Sequence, residues 1–62
     1  MHVEYDADSQ RFKIQKEPYG PVAIVNFSQT FDSFEVIDDE ELVVYRSGSV
    51  LGRFDGDGRQ TY

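Results

Sequence analysis

The amino-acid sequence predicts an all-β domain: a small antiparallel sheet of about five or six strands, curled or barrel-like, with one short helical turn near residues 28–33. Three observations carry this expectation. Short runs rich in Val, Ile, Phe and Tyr recur along the chain, and turn-forming residues separate them at short, even intervals. No stretch of ten residues keeps an apolar spacing of 3.6, so no long helix is expected.

The first strand is His2-Val3-Glu4-Tyr5-Asp6, where Val3 and Tyr5 alternate with polar neighbours. Asp6-Ala7-Asp8-Ser9 follows as a turn, because short polar side chains bond to nearby backbone and accept turn geometry. In Arg11-Phe12-Lys13-Ile14-Gln15, Phe12 and Ile14 share one face and Arg11, Lys13 and Gln15 the other, which implies one buried and one wet face. Glu17-Pro18-Tyr19-Gly20-Pro21 ends this hairpin, since each proline removes an amide donor. Val22-Ala23-Ile24-Val25-Asn26-Phe27 is uncharged and apolar on both faces except at Asn26. It is the expected central strand, covered on both sides and the most buried element.

Ser28 to Ser33 is polar around Phe31 and is expected to form a loop or single helical turn, with Ser28 suited to cap it. Phe34-Glu35-Val36-Ile37 is the fourth strand, with Phe34 and Val36 inward. Asp38-Asp39 suits a hairpin turn, Glu40-Glu41 opens the fifth strand on its solvent side, and Leu42-Val43-Val44-Tyr45-Arg46 continues it. Ser47-Gly48 is a short hairpin connection into Ser49-Val50-Leu51-Gly52-Arg53-Phe54, where Gly52 marks a bulge or a close backbone approach. Val50 and Phe54 are expected on one face of that strand, with Leu51 and Arg53 opposite. Residues 55–62 read as a flexible C-terminal tail, and residues 1–62 as one small β-domain.

Composition narrows the function classes. With 62 residues, the chain is in the size range where core area barely offsets chain entropy. Five Phe and four Tyr supply much of the available core area, and there is no Cys for disulfides or thiolate ligands. Self-association into a homodimer is one route to further burial. Twelve acidic side chains against six basic ones give a net charge of −6, which repels nucleic-acid phosphates and anionic membranes and favours a partner protein with a basic surface. The first residues carry neither the basic nor the long apolar region of a signal peptide, and no apolar run is long enough to span a membrane, so a cytoplasmic address is the default.

Candidate chemical sites are incomplete. Asp55-Gly56-Asp57-Gly58 resembles the start of a calcium loop, but Arg59 stands where the third ligand belongs. His2 has no second His or Cys to share a zinc ion, Glu35 has no evident carboxylate partner across a cleft, and no serine sits in a nucleophile elbow. No catalytic residue, metal ligand or cofactor is therefore expected, and the chain reads as non-enzymatic. What remains is a protein-binding or regulatory module. Its contact residues would be the acidic run Asp38, Asp39, Glu40 and Glu41, the loop aromatics Phe31 and Tyr19, and an exposed sheet edge. The alternatives are a structural self-associating module, and a small barrel that binds single-stranded nucleic acid through Arg11, Lys13 and Lys16. For Arg11 and Lys13 the simpler expectation is cross-strand neutralisation, with Glu4 the nearest acidic partner.

Overall fold

A computed structural model describes all residues from Met1 to Tyr62. Six strands follow in order: β1 (His2–Asp6), β2 (Arg11–Gln15), β3 (Val22–Asn26), β4 (Ser33–Ile37), β5 (Glu41–Arg46) and β6 (Ser49–Asp55). They form two three-stranded antiparallel meanders, β1-β2-β3 and β4-β5-β6. The expected curled or barrel-like sheet is corrected here: β3 and β4 do not pair, and two flat sheets share one core. The molecule measures 33 × 27 × 15 Å, and its short dimension suits two layers packed at about 10 Å.

The expected helical turn near 28–33 is absent; the chain contains no helix. Phe27 N donates to Gln10 O at 2.9 Å, which extends the β2–β3 ladder, and Asp32 N donates to Tyr45 O at 2.9 Å. The residues between these anchors are stretched from one sheet to the other. Phe31 is held among the rings of Tyr5, Phe12, Phe27 and Phe34, so tertiary packing overrides the local option of a turn.

The core joins Phe12 and Ile14 of β2, Val25 of β3, Phe27, Leu42 and Val44 of β5, and Phe54 of β6. Ring contacts cross between the layers, with Phe12 and Phe34 centroids 5.2 Å apart and Phe27 and Phe54 6.1 Å apart. Tyr5 keeps its polar end satisfied by donating to Phe27 O at 3.0 Å. The most buried strand is β5, where Leu42, Val43 and Val44 are all at 0% exposure. Val43 lies on the outer face between Glu35 and Arg53 in the ladder. Tyr45 bonds to Glu35 and Arg53 to Glu41 around it, and these side chains close the outer face.

This displaces the expectation for Val22 to Phe27. β3 is an edge strand, with Val22 50% and Ile24 49% exposed. Neighbouring strands in a sheet share faces. Val22 pairs with Gln15 and Ile24 with Lys13, so both lie on the wet side of β2.

Both short hairpins are explained by backbone conformation. Asp38 and Asp39 have φ of 53° and 57°, and Ser47 and Gly48 have 51° and 80°. Two successive positive φ values define the type I′ turn that matches strand twist. A bulge interrupts the β5–β6 register, where Val44 pairs with Gly52 but Tyr45 with Val50. Leu51 is the extra residue, and it packs against the core rather than beside Arg53 on the outer face. Beyond β6 the chain folds back: Phe54 bridges Gln60, and Thr61 N donates to Arg53 O at 2.8 Å. No helix is long and apolar enough to cross a membrane.

Candidate protein-binding edge

The acidic run does not act as one group. Asp38, Asp39 and Glu40 are exposed at the β4–β5 turn, where Asp39 pairs with the N-terminal ammonium of Met1. Glu41 belongs to β5 and is engaged by Arg53 at 3.3 Å and by the Thr61 hydroxyl at 3.3 Å. Asp55 and Asp57 are likewise turned to separate tasks. One Asp55 carboxylate oxygen accepts the amides of Asp57 and Arg59, each at 2.9 Å, while Asp57 pairs with Lys16 at 3.2 Å. The amide of Arg59, foremost, holds the Asp55 carboxyl below the ordinary aspartate range. Asp6 is lowered in the same way by the Ser9 side chain and amide. Asp55-Gly56-Asp57-Gly58 is therefore a self-bonded turn.

Its glycines have steric reasons. The Lys16 stem crosses Gly56 so closely that a Cβ there would lie 2.6 Å from Lys16 Cδ. Gly58, with φ of +81°, sits on the inner side of β3, where a Cβ would lie 3.2 Å from Ala23 Cβ and 3.3 Å from Val25 Cγ2. These two contacts place the turn across the flank formed by β3 and β6.

The loop aromatics separate. Phe31 packs against the core, so its ring is committed to folding. Tyr19 is fully exposed in the turn before β3, at φ of 63°. The cations separate as well. Arg11 and Lys13 stay on the outer face of β2, in register with Asp6 and Glu4 of β1. Lys16 has the opposite parity and reaches Asp57, so the three make no single basic surface.

The strongest surface feature is β3, whose role as an edge was not read from the sequence. Bonded pairs alternate along an antiparallel ladder. Because Phe27 N bonds to Gln10 O, Phe12–Val25 and Ile14–Ala23 are the next bonded pairs. Val22, Ile24 and Asn26 therefore turn their N–H and C=O groups away from β2, and nothing in the chain bonds to them. Exposed edges are normally blunted by charge, proline or cover. β1 carries Glu4 and Asp6, β4 carries Glu35, and β6 is bridged by Gln60, whereas the five residues of β3 have no charge and are flanked on the inner side by the Gly58 turn, where an added Cβ would lie 4.0 Å from Ile24 O. The polar alternation of β2 was the available signal, since it obliges the neighbouring strand to share a wet face. Compared with known proteins, the chain matches no protein family, no curated sequence and no solved structure.

Proposed function

We propose that this chain is a non-catalytic protein-binding module that receives an extended partner segment along the uncharged edge of β3, on the outer-face side left free by the C-terminal turn. The reading is carried by one observation: β3 is an uncharged edge strand whose Val22, Ile24 and Asn26 backbone groups point outward without partners. Strand addition gains affinity from main-chain hydrogen bonds and selectivity from alternate side chains, here the half-exposed Val22 and Ile24. The charged edges of β1 and β4 resist the same pairing, which directs a partner to one place.

The test compares partner recovery on the immobilised domain with Ile24→Lys and with the double reversal Asp39→Lys, Glu40→Lys. Loss with the first and retention with the second is the expected pattern. Equal recovery on all three proteins rejects the β3 edge, and loss only with the double reversal moves the contact to the acidic turn. Ile24→Lys changes a half-exposed side chain on the wet face, so thermal unfolding should stay near that of the parent.

A further inference from the structure

Resting on the edge-binding reading above, we infer that residues 55–61 form a strap, hinged on β6 and closed against β3, which must lift before a partner strand takes the whole β3 edge. The two sides of the strap are held differently. Toward β6 it is fixed by backbone: Asp55 N donates to Arg59 O at 2.9 Å, Thr61 N donates to Arg53 O at 2.8 Å, and Phe54 bridges Gln60. The Thr61 hydroxyl adds a bond to Glu41 at 3.3 Å. The tip is stiffened from within, because Gly58 N donates to Asp55 O at 3.0 Å and one Asp55 carboxylate oxygen accepts two further amides. Toward the other sheet the strap makes no backbone hydrogen bond. It is kept there by the Lys16–Asp57 pair, whose side chains are 54% and 60% exposed, and by the packing of Gly58 against Ala23 and Val25.

A stiff tip with a bonded hinge and a weak far contact moves as one piece, and segments held by few buried contacts open at lower free energy than the fold as a whole. In the closed state the tip lies beside the Ile24 carbonyl, since a Cβ on Gly58 would be 4.0 Å from Ile24 O. That carbonyl is one of the outward groups of the edge, so the strap and an incoming strand compete for it while the outer-face side stays free. An exposed ion pair favours the closed state by a factor of about 2 to 5. Apparent affinity scales with the fraction of molecules that are open, so breaking the Lys16–Asp57 pair raises affinity at the full edge by the same factor.

The chain has no Cys, so Val25→Cys puts a single thiol under the tip, and Val44→Cys puts one in the core away from it. The rate of reaction with a chromogenic aromatic disulfide, measured on the intact chain at urea concentrations below the unfolding midpoint, reads the opening over each thiol. The Val25→Cys thiol should react faster than the Val44→Cys thiol and with little dependence on urea, because lifting the strap exposes little surface. Asp57→Asn, and separately Lys16→Met, which keeps the stem over Gly56, should raise the Val25→Cys rate about 2- to 5-fold, and both together no further than either alone. One rate and one urea dependence for the two thiols overturns the inference, as does a Val25→Cys rate that neither charge removal changes. The readout uses no partner, so it separates the strap from the reading it rests on. A strap that opens, with partner recovery undiminished on Ile24→Lys, removes the edge reading and the gate with it and leaves only the motion. A fixed strap, with recovery lost on Ile24→Lys, leaves the edge and removes the gate.

Discussion

Replacing Gly58 by Ala tests whether the C-terminal turn is seated on β3, and replacing Gly48 by Ala supplies the control. The two glycines have nearly the same backbone, with φ of +81° and +80°. An L-residue in that region costs about 1–2 kcal/mol, and the loss of chain freedom in the unfolded state returns about 0.4–1 kcal/mol. The net loss at either position from backbone alone is therefore about 1 kcal/mol. At Gly48 nothing lies within 4 Å of the added methyl. At Gly58 the methyl meets Ala23 Cβ at 3.2 Å and Val25 Cγ2 at 3.3 Å. Overpacking of that kind adds about 1–3 kcal/mol, which brings Gly58→Ala to about 2–4 kcal/mol. Urea unfolding followed by far-ultraviolet circular dichroism measures the difference. With a slope of about 1 kcal/mol/M for a chain this small, the midpoint should fall by about 1 M for Gly48→Ala and by about 2–4 M for Gly58→Ala. Equal shifts at unchanged slope would refute the docking of this turn on β3.

Three further perturbations probe the rest of the fold. Phe12→Ala removes a ring at 0% exposure that touches both layers; a loss of about 3–5 kcal/mol is expected, enough to leave much of the chain unfolded by circular dichroism at room temperature. Ser47→Asn should raise stability by a few tenths of a kcal/mol to about 1 kcal/mol, since Ser47 has φ of 51° and Asn accepts that conformation better; an unchanged urea midpoint would count against the turn assignment. The hydrogen bond to Glu35, foremost, raises the Tyr45 phenol above its ordinary value of 10.0. Its contribution is present below that value and lost as pH rises through the raised one, so Tyr45→Phe should flatten the alkaline loss of stability measured by pH-dependent unfolding.

The strands were legible because their signals are local. Phe12 and Ile14 alternate with Arg11, Lys13 and Gln15, Ser47-Gly48 is a two-residue turn, and each fixes a short element without reference to the rest of the chain. What joins strands is not local. Residues 28–33 offered a capping serine and a polar run around one aromatic, but Phe31 is placed by four rings from other segments, so the turn never forms. Sheet partition was hidden for the same reason: nothing within β3 or β4 reports that they do not pair. The apolar run Val22 to Phe27 suggested cover on both faces, yet in this fold only Ala23, Val25 and Phe27 turn inward. Val43 shows the converse, since its burial comes from Glu35, Tyr45, Glu41 and Arg53 closing over it, which alternation alone would not foretell. The candidate site followed the same division. The exposure of Tyr19 was open to inference from its turn and the separation of Lys16 from Arg11 and Lys13 from strand parity, whereas the pairing of Lys16 with Asp57, 41 residues away along the chain, was not.

Salt separates two roles for the acidity that composition alone leaves merged. If the carboxylates at Asp38, Asp39 and Glu40 recruit a basic protein, association is an attraction between opposite charges and weakens as the screening length falls from about 10 Å at 0.1 M to about 3 Å at 1 M. A contact made by the uncharged residues of β3 carries no such attraction, so its strength should change little with salt. Glu4 and Asp6 on β1 and Glu35 on β4 put charge along those edges, which opposes strand addition there. Partner recovery at about 0.1 M and about 1 M salt reads the difference directly. Binding that is lost on adding salt would mean that the contact is an ion pair, and β3 would lose its place as the interface.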